Sequence, residues 1–240
     1  MKLSNNKILI TGGATGIGLG LTQRFINENN TVIICGRRES ALKEVANRLP
    51  SVITRVCDLS DEAERIELYE WIKEEHLDLN VLVNNAGIQY WNNISDKEFY
   101  QQANEEISTN VIAPIHLTTL FMNLKSLDTI INVTSGLAFI PLTKVPVYSA
   151  TKAFMRSFTL SLRHMLAGSN IEIIEMIPPA LNTDLGGKGL HTAYPPVSAF
   201  IESVFEQMKQ NKSELTFESS QARAAANFEV INGLFNQMNS

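Results

Sequence analysis

The chain has 240 residues, of which 44% are hydrophobic and 19% are charged, with a formal net charge of -5 at pH 7. This composition is typical of a globular protein, and the length fits one α/β domain over residues 1-240. Acidic and basic residues are interspersed and the chain is acidic overall, which excludes a basic surface for nucleic acid.

The sequence predicts a cytoplasmic protein with no membrane insertion. The N-terminus carries one early Lys2 and an apolar run of only Ile8 to Ile10, which is too short for the hydrophobic region of a signal peptide. No stretch reaches the roughly 18 uncharged apolar residues of a membrane-spanning helix. Cys35 and Cys57 lie at expected strand ends, where we predict buried, free thiols that act as small apolar side chains.

Short runs rich in β-branched residues alternate with amphipathic stretches along the chain. The predicted strands are Lys7 to Thr11, Thr31 to Cys35, Val52 to Cys57, Asn80 to Val83, Thr129 to Val133 and Ile171 to Met176, with a candidate edge strand at Leu215 to Glu218. Unbroken apolar strands between helices indicate parallel strands covered on both faces. The predicted fold is therefore a doubly wound, Rossmann-type α/β sheet of about seven strands in three α/β/α layers.

The helices are predicted from their apolar periodicity. They are Gly18 to Asn29, Glu39 to Leu49, Asp61 to Glu75, Asp96 to Met122, Val147 to Ala167, Val197 to Gln210 and a terminal helix from Gln221 to Met238. Pro114 should kink or interrupt the fourth of these, because proline lacks an N–H and clashes one turn back. Ser60 is the predicted N-cap of the third.

The segment Thr11 to Gly18 follows the first predicted strand and opens the first predicted helix. That context favours a phosphate-binding turn, in which Gly12 permits the turn, Gly16 allows close approach of pyrophosphate and Gly18 allows close helix packing. The spacing is G-x-x-x-G-x-G and fits the general dinucleotide fingerprint only loosely. A strand-to-helix turn without a ligand is the alternative.

Arg37 and Arg38 end the second predicted strand, where an NAD site would place a carboxylate on the ribose. Gly36 stands there instead, and two guanidinium groups can bind a 2′-phosphate, so the sequence favours NADP over NAD. A solvated surface pair is the alternative. Asp58, after the third strand, could accept a hydrogen bond from an adenine amino group or stabilise its own loop.

Ser135 follows the fifth strand, at the carboxyl edge where open α/β sheets bind ligands, and Tyr148 and Lys152 lie one turn apart on the next helix. Use of a tyrosine phenolate near neutral pH requires a pKa shift of roughly three units, or about 4 kcal/mol. An ammonium about 4 Å away supplies roughly that much at an effective dielectric near 20. These residues predict proton transfer coupled to hydride transfer at a carbonyl carbon.

Taken together, these motifs resemble the short-chain dehydrogenase/reductase (SDR) family in its compact branch, over nearly the whole chain. The resemblance rests on the Gly-rich turn, on Asn84 to Gly87, on Asn110, on Ser135 and on the run from Tyr148 to Lys152. It implies that Asn84 to Gly87 steady the central sheet near the adenosine ribose. It also implies that Asn110 maintains a helix distortion and a water relay to Lys152, and that Lys152 holds the nicotinamide ribose.

The resemblance completes the list of candidate site residues. The catalytic candidates are Ser135, Tyr148, Lys152 and Asn110. The cofactor-binding candidates are Gly12, Thr15, Gly16, Ile17, Gly18, Arg37, Arg38, Asp58, Leu59, Asn85, Ala86, Gly87, Tyr148, Lys152, Pro178 and Thr183. No metal site is expected, because His76, His116, His164 and His191 show no ligand spacing with acids or cysteines. A homodimer or homotetramer is implied, through the helices that carry Asn110 and Tyr148.

The substrate side of the site departs from the family at Pro179, where a glycine is common; proline excludes positive φ there. The glycine-containing loop at residues 180-196 is a candidate substrate lid, with a plain mobile connection as the alternative. Mostly apolar flanking segments predict a medium-sized, largely uncharged ketone or aldehyde as small-molecule substrate. The alternative function is a non-catalytic dinucleotide-binding regulator or redox sensor on the same fold; an epimerase or dehydratase is disfavoured by chain length.

Overall fold

In a computed structural model, which describes residues 1–240, seven parallel strands form one sheet in the order β3-β2-β1-β4-β5-β6-β7. The strands are β1 (Lys7–Thr11), β2 (Thr31–Gly36), β3 (Ile53–Val56), β4 (Val81–Asn84), β5 (Thr129–Val133), β6 (Glu172–Ile177) and β7 (Glu214–Thr216). From β1 the chain adds strands outward to β3 on one side of the sheet, and from β4 to β7 it adds them on the other side. This reversal makes the sheet doubly wound, as predicted. All seven predicted strands are present, with ends within about two residues of those expected.

Nine α-helices connect or follow the strands. They are α1 (Gly16–Asn27), α2 (Glu39–Arg48), α3 (Glu62–Glu75), α4 (Phe99–Ile107), α5 (Ala113–Phe121), α6 (Pro146–Met165), α7 (Val197–Lys209), α8 (Ser219–Ala224) and α9 (Phe228–Asn239). No helix has both the length and the apolar character needed to cross a membrane.

Alternate residues of each strand serve two separate cores, one on each face of the sheet. Ile8 and Ile10 of β1 pack with the helices of one face, where the rings of Phe25 of α1 and Phe205 of α7 lie 4.8 Å apart, centroid to centroid, in a tilted arrangement. Leu9, between them, packs into the other core, formed with α3, α5 and α6. Burial on both faces explains why the strands are continuously apolar.

The helix predicted from Asp96 to Met122 is interrupted in the structure. A π-helical turn, Ser108–Ile112, separates α4 from α5, and Pro114 lies in the first turn of α5. The predicted interruption is therefore observed, and it takes the form of a widened turn, since a π turn carries one residue more than an α turn. Asn110 lies at the centre of that turn.

Two predicted helix boundaries were wrong. The N-cap of α3 is Asp61, not Ser60: the Asp61 carboxylate accepts from the backbone of Ala63 at 2.7 Å and of Glu64 at 3.2 Å. The terminal helix is split in two after α8, because the Asn227 side chain accepts from the backbone of Val230 at 3.0 Å and caps α9.

Candidate active site

A cleft of about 570 Å³ runs along the carboxyl edge of the sheet, where the strands give way to loops. Every predicted cofactor-binding residue lines it: Gly12, Thr15, Gly16, Ile17, Gly18, Arg37, Arg38, Asp58, Leu59, Asn85, Ala86, Gly87, Tyr148, Lys152, Pro178 and Thr183. The position is the one that an open α/β sheet offers a ligand, at the point where the strand order reverses.

The Gly-rich turn between β1 and α1 forms one wall of this cleft. Gly12 has φ +65° and Gly16 has φ +53°, in the left-handed region that favours glycine. A Cβ on Gly18 would lie 2.2 Å from the carbonyl oxygen of Gly12 and 2.6 Å from the side-chain nitrogen of Asn85. The turn and the start of α1 can be this close only because glycine stands at position 18.

Arg37 and Arg38 lie at one end of the cleft, after β2. The Arg37 guanidinium is 55% exposed and 4.0 Å from a carboxylate oxygen of Asp58, while that of Arg38 is 3.4 Å from the Thr15 hydroxyl. The other Asp58 carboxylate oxygen accepts from the backbone and hydroxyl of Ser60, at 2.9 and 2.7 Å. Asp58 thus stabilises its own loop while it lines the cleft.

Asn85 fastens β4 to β1 beneath the turn. Its side-chain nitrogen donates to the carbonyl oxygen of Thr11 at 2.8 Å, and its backbone donates to the Thr11 hydroxyl at 3.0 Å. Asn84 donates to Asn132 of β5 at 2.9 Å, deep in the sheet. The sheet-steadying contacts that the family resemblance implied are present in these bonds.

The three residues predicted for catalysis are brought together by β5 and the first turns of α6. Ser135, Tyr148 and Lys152 are 8%, 6% and 5% exposed, respectively. The Lys152 Nζ lies 5.5 Å from the centroid of the Tyr148 ring and donates to the carbonyl oxygen of Val133 at 2.9 Å. The Ser135 hydroxyl accepts from the backbone of Leu137 at 3.1 Å. Tyr148 and Lys152 line the cleft, and Ser135 lies beside them.

The electrostatics of the pair differ from the sequence-based estimate. Burial raises the pKa of Tyr148 well above its ordinary value, against a lowering by the Ser135 hydroxyl, and Glu106 raises it further. Burial lowers the pKa of Lys152 to about 8. Lys152 is not among the groups that lower the pKa of Tyr148, and its ammonium donates to the Val133 carbonyl instead. Tyr148 therefore holds its proton near neutral pH.

Asn110 lies behind these residues and is 2% exposed. Its side-chain oxygen accepts from the backbone of Ile88 at 2.9 Å, and its nitrogen donates to the Ile88 carbonyl at 2.8 Å and to the Thr151 hydroxyl at 3.2 Å. The π turn thus ties the loop after β4 to α6, beside Gly87 and Lys152. Asn110 does not line the cleft itself.

The loop after β6 covers the other end of the cleft. The Thr183 side chain packs near Gly16, and the Pro178 carbonyl accepts from the backbone of Gly136 at 2.9 Å. Gly186, with φ +75°, lies so close to Trp91 that a Cβ there would be 2.8 Å from the indole nitrogen. The loop at residues 180-196 is thus packed against the loop after β4.

Three features of the site escaped prediction from the sequence. Cys35 and Cys57, confirmed as buried free thiols, also line the cleft. Glu106 of α4 is 1% exposed and acts electrostatically on Tyr148. Arg223 of α8 packs beside Gly136, the residue after Ser135.

Comparison with known proteins agrees with this geometry. The family model described as short chain dehydrogenase matches residues 6–192. The chain belongs to the short-chain dehydrogenase/reductase family. It is an SDR enzyme, and the predicted fold and family are confirmed.

Individual SDR relatives are similar over most or all of the chain. The oxidoreductase DltE of Bacillus subtilis is 42% identical over 100% of this chain and 99% of its own length. The segments ICGRR (residues 34–38), VTSGLAF (133–139) and IEMIPP (174–179) resemble oxidoreductases of the DltE type, and this match confirms the resemblance. The NADP-dependent 3-hydroxy acid dehydrogenase YdfG of Escherichia coli is 30% identical over 71% of each chain.

Solved structures share the SDR fold closely. A short chain dehydrogenase from Burkholderia cenocepacia, in complex with NADP, superposes with a TM-score of 0.85 at 21% identity, over 98% of this chain and 99% of that one. Other matching structures contain NADPH, NADH or NAD.

Proposed function

We propose that this SDR enzyme is an NADP(H)-dependent oxidoreductase that interconverts a carbonyl compound and its alcohol. The observation that carries the proposal is the Tyr148 phenol, buried at the wall of the cleft, with Lys152 one turn away on α6 and Ser135 beside it. A pure dinucleotide-binding protein has no use for a phenol at that position. We place both cofactor binding and catalysis in one unit, residues 1-240.

The cleft fits a dinucleotide on its own geometry. The positive φ of Gly12 and Gly16 and the Cβ-free contact at Gly18 leave backbone and the start of α1 facing the cleft, as phosphate binding requires. When bound, the nicotinamide supplies or accepts the hydride. We assign the adenosine end to Asp58 and Leu59 and the nicotinamide end to Pro178 and Thr183.

Proton transfer is assigned to Tyr148. In reduction, Ser135 donates a hydrogen bond to the substrate oxygen and Tyr148 gives that oxygen its phenolic proton; in oxidation the phenolate takes the proton back. Because burial keeps the pKa of Tyr148 high, the phenol carries its proton near neutral pH, which is the form that carbonyl reduction consumes. Lys152 holds the ribose, and Asn110 holds the π turn that supports a proton relay.

The preference for NADP over NAD is supported by the charge at the adenosine end. Arg37 and Arg38 line the cleft after β2, and Gly36 stands where an NAD site would carry a carboxylate. An exposed guanidinium can bind a 2′-phosphate through two parallel hydrogen bonds. The relative YdfG is named as NADP-dependent, in agreement with this assignment.

For the substrate we propose a medium-sized ketone or aldehyde held beneath the loop at residues 180-196. Gln89, Tyr90 and Leu185 line that end of the cleft. Because a 30% identical relative acts on 3-hydroxy acids by name, 3-oxo acids belong in the screen beside uncharged ketones.

We further propose a homodimer or homotetramer formed through α4, α5 and α6. Phe158 of α6 packs against the core, whereas Phe154 is 48% exposed and Ile112, the last residue of the π turn, is 47% exposed. Exposed apolar side chains on these helices suit an interface between copies.

The experiment is a carbonyl screen with NADPH on the wild type, Tyr148→Phe and Tyr69→Phe, the last a buried tyrosine on α3. We expect NADPH oxidation with some carbonyls, a loss of about 10²- to 10⁴-fold in kcat for Tyr148→Phe, nearly unchanged NADPH affinity, and no loss for Tyr69→Phe. Full activity of Tyr148→Phe overturns the mechanism. Tight NADPH binding without oxidation of any carbonyl favours the non-catalytic regulator.

A further inference from the structure

One buried carboxyl group near the reacting phenol has no part in the proposed chemistry. Glu106 lies in the last turn of α4, four residues before Asn110, and is 1% exposed. Its Oε1 accepts from the backbone of Tyr90 at 2.7 Å, in the loop that lines the cleft. Its Oε2 is buried without a hydrogen-bond partner in the protein. A buried carboxyl oxygen without a partner is costly, so such a group is rarely retained for packing alone.

We propose that Glu106 is a positioning residue whose charge controls proton transfer at Tyr148 and whose hydrogen bond fixes the Tyr90 segment of the cleft wall. This inference rests on the proposed function and deepens it. Glu106 acts through Tyr148 and does not touch the reacting atoms.

The groups around Glu106 leave its charge uncompensated. The Tyr90 N–H faces it from the loop after β4. From α4, which packs against α6, its charge raises the pKa of the Tyr148 phenol. No arginine, lysine or histidine pairs with it. Its neighbour Glu105 is directed elsewhere and accepts from the Tyr90 hydroxyl at 2.6 Å.

Glu106 can change its charge near neutral pH. Burial raises its pKa to about 7, against a lowering by the Tyr90 N–H. Below that pH the group is neutral; above it, the carboxylate holds the proton on Tyr148 more firmly. Ionised Glu106 therefore opposes alcohol oxidation, which needs the phenolate.

The test compares Glu106→Gln with Glu105→Gln, since both changes remove a charge beside Tyr90 while only Glu106 acts on the phenol. We expect the pH profile of kcat for alcohol oxidation to move to lower pH by about half to one unit in Glu106→Gln. The Glu105→Gln profile should coincide with that of the wild type. An unshifted Glu106→Gln profile overturns the proposal, as does an equal shift in both variants.

A second readout needs no turnover and so separates this proposal from the proposed function. In protein labelled with ¹³C at the tyrosine ring, and with the Tyr148 signal assigned from Tyr148→Phe, that signal should shift with pH about a midpoint near 7. The inflection should vanish in Glu106→Gln and persist in Glu106→Asp, the conservative variant. A Tyr148 signal without this inflection in the wild type overturns the role of Glu106, even if carbonyl reduction is found.

Discussion

The Lys152 ammonium donates a hydrogen bond to the Val133 carbonyl oxygen, 2.9 Å away, while only 5% of the lysine is exposed. The last residue of β5 thus anchors a cation next to a phenol. Burying that cation has a cost, which appears as the lowered pKa of about 8.

Replacing Lys152 by Met should stabilise the fold while it abolishes activity. In the unfolded chain the Lys152 amine has its ordinary pKa of 10.5, whereas in the folded chain its pKa is about 8. The free-energy cost of burying the ammonium is therefore complete below pH 8 and disappears above pH 10.5. We expect urea unfolding at pH 7 to show a gain of about 1 to 2 kcal/mol for the variant, because about 3 kcal/mol of burial cost is removed while the hydrogen bond to Val133 is lost. The gain should shrink as the pH approaches 10.5, and equal stability at pH 7 contradicts this account.

Gly18→Ala should disrupt the phosphate turn. Its Cβ would lie 2.2 Å from the Gly12 carbonyl oxygen, so the turn must move, and we expect NADPH affinity measured by calorimetry to fall at least about tenfold. Gly233→Ala in α9 is the matched control, since a Cβ there meets nothing within 4 Å. That change should leave affinity unaltered and stabilise the helix slightly. Unchanged NADPH affinity in Gly18→Ala would argue against binding at this turn.

Arg37→Asp should invert cofactor preference. The new carboxylate repels a 2′-phosphate and can accept from a ribose hydroxyl, so the ratio of kcat/KM for NADPH to that for NADH should fall about tenfold or more. Arg48→Asp, which changes an exposed arginine of α2 paired with Glu44, controls for net charge. Equal losses with both cofactors would show that Arg37 does not distinguish them.

Gly186→Ala should loosen the contact between the loop at residues 180-196 and Trp91. The added Cβ would lie 2.8 Å from the indole nitrogen, whereas in Gly189→Ala it would meet nothing within 4 Å at a similar φ of +77°. Both variants carry the same backbone strain, so only the contact differs. We expect the substrate KM to rise about tenfold in Gly186→Ala alone, with NADPH affinity unchanged. Similar KM values in the two variants would rule out a lid function for this contact.

The sequence predicted the sheet well because strands buried on both faces have continuous apolar, β-branched sequences, and such runs form the strands of this sheet. The cleft residues could be predicted because Gly12, Arg37 and Tyr148 each follow a strand or begin a helix. The carboxyl ends of parallel strands lie at one edge of the sheet, so these positions come together there. Helix boundaries that depend on a single capping side chain were harder to predict. Asp61 rather than Ser60 caps α3, and Asn227 divides a segment whose alanines favour one continuous helix.

The residues that escaped prediction depend on contacts between distant elements. Glu106 has the same side chain as its neighbour Glu105, and the packing of α4 against α6 buries Glu106 while Glu105 stays half-buried. The direction of the Lys152 ammonium was missed for a similar reason. A spacing of four residues places the two side chains on one face, but the Val133 carbonyl, supplied by β5, decides where the ammonium is directed.

The π turn at Ser108–Ile112 also makes the site sensitive to chain length. One residue more than an α turn requires is accommodated there, and it rotates everything that follows by about 100° around the helix axis. Arg65 of α3 bonds His116 of α5 at 3.0 Å on the far side of the turn. After a one-residue deletion within the turn, two sets of contacts could not both be kept. Either Asn110 would lose its hydrogen bonds to Ile88, or α5 would turn its packed face away from α3. Length, as much as residue identity, is constrained in this segment.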